Sequence, residues 1–193
     1  MLVIKELITQ EYVTQMRQFM LSNNFAWYYF PEVLTLSYEE EQEIKNHSKI
    51  YKDEFYGNSV FRHTFISDGG IENSGSIDML VPVFKEMEKH IERKFYFHNC
   101  SANLTLHNPE MENKRHYPHV DTGKMRWNGY TAILYLDDSG GSTRIYKESG
   151  SYEDHFPEPG KLVLFDNTLY HSAPVSGTKN ERVVINFNIK FRD

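Results

Sequence analysis

The spacing of apolar residues changes near residue 95 from a helical period to a period of two. Before that point, Thr9 can cap a helix whose apolar residues share one face: Tyr12, Val13, Met16, Phe19 and Met20. A second helical face consists of Ile77, Leu80, Val81, Phe84, Met87 and Ile91. Pro82 suits the first position of that helix, because a first-turn residue needs no hydrogen-bonded N–H. The first half of the chain is therefore predicted to contain two amphipathic helices.

The segments between these helices differ in composition. Tyr38 to Lys49 is acidic and predicts a short exposed helix, whereas Phe25 to Leu36 and Ser59 to Ile66 are rich in aromatic and branched residues and predict strands. The aromatic group Phe25, Trp27, Tyr28, Tyr29 and Phe30 is expected to pack as core between helix and sheet.

Beyond residue 95, short apolar-alternating runs follow one another: Phe95 to Leu106, Tyr130 to Leu136, Ser142 to Tyr146, Lys161 to Phe165 and Val183 to Phe191. Gly, Asn, Asp and Pro separate them. Short strands without intervening helical patterns are typical of an antiparallel double-sheet barrel. The predicted fold class is α+β, mostly β: a jelly-roll barrel (double-stranded β-helix) over 95–193, supported by helices and extra strands over 1–94. We expect one domain over 1–193.

Composition and charge narrow the function classes. Apolar residues make up 39% of the chain, enough for a core, and 27 acidic against 21 basic residues argue against nucleic acid as the main partner. Cys100 is the only cysteine, so no internal disulfide can form and a reducing compartment is expected. Cys100 itself is expected to be a small buried apolar residue. Without a signal-peptide pattern or an apolar run of membrane-spanning length, the expected location is cytoplasmic.

The first chemical signal is the pair His119 and Asp121, which an extended strand presents on one face. His171 follows fifty residues after Asp121, where a strand and a turn can return it to the first pair. Two imidazoles and one carboxylate form the facial triad typical of non-haem iron(II), whereas a structural zinc site usually includes cysteine ligands. The alternative at this stage is three unrelated polar residues in turns.

Arg182 opens a strand whose alternation separates two faces. Val183, Ile185, Phe187, Ile189 and Phe191 share one face, and Arg182, Val184, Asn186 and Asn188 share the other. An inward guanidinium needs a carboxylate partner, and its planar fork suits a dicarboxylic co-substrate. A surface ion pair is the alternative for Arg182.

Four stretches carry a family resemblance: HVDTGKMRWNGYTAILYLDD, GGSTRIY, PEPGKLVLFDNTLYHSAPV and RVVINFNIKF. Over about residues 100 to 193 the chain resembles the 2-oxoglutarate and iron(II)-dependent dioxygenases, in particular their prolyl 4-hydroxylase-like branch. The resemblance implies that His119, Asp121 and His171 bind iron and are catalytic, and that Arg182 and Tyr135 bind the distal carboxylate of 2-oxoglutarate. The other residues expected to bind the co-substrate are Thr131, Ile133, Thr143 and Asn188.

The implied activity uses iron(II), 2-oxoglutarate and O2, with ascorbate as a stimulant. Decarboxylation of 2-oxoglutarate to succinate would be coupled to hydroxylation of a peptidyl, prolyl-like residue or of a small molecule. Asp121 favours hydroxylation, because halogenating relatives lose that carboxylate. Nucleic-acid alkyl-repair relatives carry a second arginine where this chain has Asn188.

The alternative function class is a non-catalytic jelly-roll or cupin-like module that binds a metal or a small acid. The His-x-His pair usual in cupins is absent from the motif. His116 and His155 lie in loops suited to a substrate rim, although a lone loop histidine is more often only solvated.

Overall fold

The computed structural model describes residues 1–31, 42, 45–46, 55–56, 59–72, 74–111, 114–121, 129–147, 149–175 and 181–192. Helices cover Gln10–Met20 (α1), Ser74–Ile77 (α2) and Val81–Ile91 (α3), with 3-10 turns at Asp78–Leu80 and Pro109–Met111. The strands are Leu2–Ile4 (β1), Tyr28–Phe30 (β2), Phe55–Tyr56 (β3), Val60–Ser67 (β4), Gly70–Ile71 (β5), Phe95–Thr105 (β6), Arg115–His116 (β7), Tyr130–Tyr135 (β8), Thr143–Tyr146 (β9), Tyr152–His155 (β10), Leu162–Asp166 (β11), His171–Ser172 (β12) and Arg182–Phe191 (β13).

Both amphipathic helices are confirmed. The side chain of Thr9 accepts a hydrogen bond from the backbone N–H of Tyr12 at 3.3 Å, which caps the first turn of α1. Helix α3 begins at Val81, with Pro82 in its first turn, and ends where Glu92 adopts a left-handed conformation with φ 56°. Each has eleven residues, and no helix in the described part of the chain is long and apolar enough to cross a bilayer.

The strands form the predicted mostly β architecture. A large antiparallel sheet has the order β1-β11-β8-β13-β6-β4-β2, with β5 also paired to β4, and a second sheet has the order β10-β9-β12. A two-residue parallel pair joins β3 to β7. The two larger sheets are those of a jelly roll, because short strands from distant parts of the chain alternate within them.

The large sheet buries its two faces against different partners. One face packs on α1 and α3 in a core that includes Val183, Ile185 and Phe187 of β13. The other face forms a smaller core in which Val184 meets Ile145 of the second sheet. The predicted alternation of β13 is thus confirmed, and it places Arg182, Asn186 and Asn188 on the face that meets the second sheet. Cys100 is fully buried in the helix-side core, as predicted.

The prediction for the aromatic group is partly wrong. Phe25 is buried, and Trp27 packs against the core, but Tyr28, Tyr29 and Phe30 are 54%, 60% and 38% exposed. The reason is that β2 lies at the end of the large sheet, so its side chains have neighbours on one side only. Residues 32–36 of the predicted strand, and most of the helix predicted over Tyr38 to Lys49, lie outside the described residues.

An ion cluster stabilises the second sheet. Asp154 accepts hydrogen bonds from Arg144 Nε at 2.9 Å and Nη2 at 2.7 Å, and from Ser142 Oγ at 2.9 Å. Partial burial acts to raise the pKa of Asp154, but these hydrogen bonds and the charge of Arg144 hold that pKa below its usual value. A carboxyl with a lowered pKa stabilises the fold above its unfolded pKa, and this stabilisation is lost as the pH falls through the folded pKa.

We expect Asp154→Asn to lower the free energy of unfolding at neutral pH by about 2 kcal/mol, because it removes the carboxylate that accepts two hydrogen bonds from the Arg144 guanidinium. The variant should also lose part of the acid dependence of stability. Urea unfolding at neutral and acidic pH measures both effects. Glu153→Gln on the same strand is the matched control: its pair with Lys147 is exposed, and its loss should cost less than about 0.5 kcal/mol. Equal effects of the two substitutions would contradict this role of Asp154.

Candidate metal centre

Two backbone hydrogen bonds bring the predicted histidines together. The N–H of His119 donates to the carbonyl of His171 at 3.0 Å, and the N–H of His171 donates back to the carbonyl of His119 at 2.9 Å. This bridge joins the segment around His119 to β12, which is itself paired with β9. The imidazole ring centroids consequently lie 4.5 Å apart.

Asp121 completes the group. Its Oδ1 lies 3.5 Å from Nε2 of His119 and 3.3 Å from Nε2 of His171. One ligand atom from each of the three residues can be chosen so that all lie within 4.8 Å of one another. Within the described residues this is the cluster that can hold a metal ion. Two imidazole nitrogens and one carboxylate oxygen are the donor set that non-haem iron(II) prefers.

The environment sets the protonation of these groups. Nδ1 of His119 lies 3.0 Å from the carbonyl of Tyr117, which can only accept, so in the neutral ring Nδ1 carries the proton and Nε2 has its lone pair free for a metal. Burial acts to raise the pKa of Asp121, but the His171 and His119 imidazoles hold that pKa well below its usual range. Burial lowers the pKa of His119, and its hydrogen bond to Asp121 reverses the balance and raises it. The carboxylate is therefore ionised and ready to coordinate a cation.

Thr131 and Asn188, predicted as co-substrate residues, both contact Asp121. Oγ1 of Thr131 and Nδ2 of Asn188 each donate to Oδ2 of Asp121 at 3.0 Å. Nδ2 of Asn188 also lies 3.2 Å from Oγ1 of Thr131. Because both donors contact Oδ2, they orient the carboxylate with Oδ1 toward the histidines.

A cavity of about 80 Å³ opens beside the three residues. It is lined by six of the residues that the sequence predicted for the site: His119, Asp121, His171, Arg182, Ile133 and Thr143. His116, which is 5% exposed, also lines it, whereas His155 does not. The metal-binding group and the candidate co-substrate arginine thus share one space.

Arg182 lies deep in this cavity and is 3% exposed. Its Nη2 donates to Oγ1 of Thr143 at 3.2 Å, and its guanidinium carbon lies 5.7 Å from the centroid of the Tyr135 ring. Nε of Arg182 is buried without a hydrogen-bond partner in the described part of the chain. Burial lowers the pKa of Arg182, although electrostatic interactions with Tyr135 and Asp137 oppose that shift. A buried guanidinium with unused donors suits a carboxylate ligand.

Tyr135 is fully buried beneath Arg182 and does not line the cavity. Its hydroxyl lies 3.4 Å from the carbonyl of His155. Burial raises the pKa of Tyr135 despite the opposing charge of Arg182, so the hydroxyl stays protonated and can donate.

Three polar lining residues were not singled out from the sequence: Arg62, Asn103 and Thr105. Asn186, which was predicted to share the face of Arg182 but not to bind the co-substrate, also lines the cavity. Arg62 belongs to β4, where it faces Asn103 of β6 across the strand pair. Nε of Arg62 donates to Oδ1 of Asn103 at 3.0 Å. The polar residues that alternate with His63 and Phe65 in β4 were a signal for such a face, but the strand order that carries them to the metal group is not visible in the sequence.

Comparison with known proteins agrees with this geometry. Residues 102–190 match the profile of the 2OG-Fe(II) oxygenase superfamily. No curated protein sequence matches the chain significantly.

Solved structures share the fold at low sequence identity. An oxidoreductase of the 2OG-Fe(II) oxygenase family from Burkholderia pseudomallei superposes with a TM-score of 0.56 at 11% identity, covering 93% of this chain and 89% of that one. A prolyl hydroxylase from Trichoplax adhaerens, in complex with a peptide fragment of hypoxia inducible factor, has a TM-score of 0.50 at 12% identity and covers 93% and 90%. The alpha ketoglutarate dependent epimerase SnoN from nogalamycin biosynthesis has a TM-score of 0.50 at 12% identity and covers 94% and 83%.

The matched segment contains all three ligand candidates and Arg182. By this match and by its fold, the part of the chain that carries the metal-binding group is similar to the 2OG-Fe(II) oxygenase superfamily, a family of oxidoreductases that use iron(II), 2-oxoglutarate and O2.

Proposed function

We propose that this protein is an iron(II)- and 2-oxoglutarate-dependent dioxygenase that hydroxylates its substrate while decarboxylating 2-oxoglutarate to succinate. The proposal depends on one observation: a single cavity is lined both by the His-Asp-His group and by the buried Arg182, whose guanidinium can bind a carboxylate. The family match supports the same cofactors.

His119, Asp121 and His171 would hold the iron, and three such ligands leave coordination positions for co-substrate and oxygen. When bound, the iron supplies oxygen activation coupled to oxidation of 2-oxoglutarate, which protein side chains alone cannot perform. Arg182 binds the distal carboxylate, and the hydrogen bond from its Nη2 to Thr143 orients the guanidinium. Ile133 provides an apolar wall that limits water in the cavity.

The substrate is proposed to be a peptidyl, prolyl-like residue or a small molecule. Hydroxylation is the proposed outcome because Asp121 keeps the third coordination position filled by a carboxylate. We further propose that residues 1–193 act as one domain, since the helices of the first half and the strands of the second share one core.

Succinate release tests the function. The purified chain, supplied with iron(II), ascorbate and 2-oxoglutarate under air, is expected to form succinate slowly even without its substrate. Succinate is quantified by mass spectrometry, and iron binding is measured in the same preparation. Full metal occupancy without any succinate would favour the non-catalytic jelly-roll or cupin-like module.

The contacts to Asp121 predict a selective effect on the metal. Thr131→Val removes the hydroxyl that holds Oδ2 while preserving side-chain volume, so iron affinity should fall about 10- to 100-fold. Thr131→Ser keeps the hydroxyl and should remain close to the parent protein. Anaerobic titration with Co(II), followed by its visible absorption, measures the change. Unchanged metal affinity in Thr131→Val would show that this hydrogen bond does not orient the carboxylate.

A further inference from the structure

A second arginine, Arg62, lines the cavity that holds the metal group. Arg62 lies on β4, outside the segment that matches the family profile. It is half-buried, lines the cavity, and has its guanidinium carbon 5.4 Å from the centroid of the Phe30 ring. Nε is engaged with Asn103, while the two terminal nitrogens make no hydrogen bond within the described part of the chain. This leaves the end-on fork of the guanidinium for a ligand anion.

The charges around the cavity favour such an anion. Among the described lining residues, the permanent cations are Arg62 and Arg182, and the carboxylate is that of Asp121. A divalent metal and a dicarboxylate co-substrate cancel each other in charge, so one positive charge stays uncompensated after both are bound. Since Arg182 serves the co-substrate, the excess positive charge lies at Arg62, where a half-buried guanidinium favours an anionic partner.

Asn186 adds a hydrogen-bond acceptor beside the donors of Arg62. Its Oδ1 is buried and has no hydrogen-bond partner in the described part of the chain. On β13, Asn186 pairs with Ser101 of β6. Asn103, which pairs with Arg62, lies two residues further along β6. An unsatisfied buried acceptor is best matched by an N–H donor of a ligand.

Space for that ligand adjoins the metal group. A second cavity of about 210 Å³ shares Arg62, Asp121 and Asn186 with the first. Its other polar lining comes from side chains such as Thr64, Asn99 and Ser101, which carry no charge. A ligand held here lies next to Asp121, as the oxidised molecule must.

We propose that the substrate is a free amino acid or a close analogue, whose carboxylate binds Arg62 and whose amino group donates to Asn186. This inference rests on the proposed dioxygenase function and narrows its substrate class. The two contacts leave the side chain of the amino acid to approach the metal. A residue within a peptide lacks the free carboxylate and would leave Arg62 uncompensated.

Binding is tested on the full chain loaded anaerobically with iron(II) and N-oxalylglycine, an inert analogue of 2-oxoglutarate. Each of the twenty free L-amino acids is titrated by calorimetry, and every one that binds is compared with its amide, which keeps the N–H donors and loses the carboxylate. We expect at least one amino acid to bind and its amide to bind about 10- to 100-fold more weakly. This comparison needs no variant, so it does not depend on how a substitution folds.

Arg62→Gln should weaken binding of the same amino acid by a similar factor and leave N-oxalylglycine affinity within about twofold of the parent value. Arg192→Gln, which removes an exposed arginine, is the matched control and should change neither. The proposal is overturned if no amino acid binds, if acid and amide bind equally, or if Arg62→Gln weakens N-oxalylglycine instead. If the parent protein binds neither iron nor N-oxalylglycine, the proposed dioxygenase function is itself wrong. This outcome distinguishes failure of the proposed function from failure of the proposed substrate class.

Discussion

His171→Ala is expected to abolish succinate formation, with a fall of at least about a thousandfold, equivalent to roughly 4 kcal/mol in the activation free energy. The substitution removes one of two imidazoles whose Nε2 atoms surround Oδ1 of Asp121. Two remaining ligands hold a divalent ion far less firmly than a three-residue facial group. Metal affinity should therefore fall together with turnover.

The measurement combines Co(II) titration with succinate quantification on the same preparation. His90→Ala, on the outer side of α3, is the control and should match the parent protein in both. Thermal melting of each variant separates a lost ligand from a lost fold. A His171→Ala protein that binds metal and turns over normally would place the metal elsewhere.

The parts of the site that sequence could predict are those set by local alternation and order along the chain. The period of two in β13 was enough to put Arg182 on the face opposite Val183 and Ile185, and the structure bears this out. The structure also brings His119 and Asp121 together, but the predicted strand was wrong: His119 forms an isolated β-bridge and Asp121 lies in a turn.

The parts that sequence could not predict depend on register between distant strands. Arg62 reaches the cavity only because β4 pairs with β6 and β6 pairs with β13, and a bulge between Thr64 and Ile66 shifts that register. Asn188 and Thr131 were placed on the correct face, yet their contact with Asp121 depends on where the segment before residue 122 crosses that face.

Position within the sheet explains the error at β2. Tyr28, Tyr29 and Phe30 have the composition of a buried strand, but burial depends on whether another element covers the strand. Sequence composition describes the strand and not its neighbours, and β2 lies at the end of the sheet path among the described strands.

Arg182→Met is expected to raise the concentration of 2-oxoglutarate needed for half-maximal turnover by about 100-fold or more, because truncating one partner of a buried, hydrogen-bonded charge pair costs roughly 2–5 kcal/mol. Iron affinity should stay within about twofold of the parent value, since no hydrogen bond in the described part of the chain joins Arg182 to a metal ligand. The kinetic constant and the Co(II) titration are measured on the same protein. Loss of metal instead of co-substrate would assign Arg182 a different role.

Stability provides a second, independent readout for Arg182. Without ligand, its guanidinium is buried and, among the described residues, hydrogen-bonded to Thr143 alone, so replacing it with an apolar side chain of similar length should not lower the melting temperature. At one hundred times its dissociation constant, 2-oxoglutarate should stabilise the parent protein by about 2.7 kcal/mol. Arg182→Met should lose most of that stabilisation at the same concentration, and Arg182→Lys, which keeps the charge without the planar fork, should lie between them. A destabilised Arg182→Met protein that still responds fully to 2-oxoglutarate would mean that the buried arginine supports the fold and not the co-substrate.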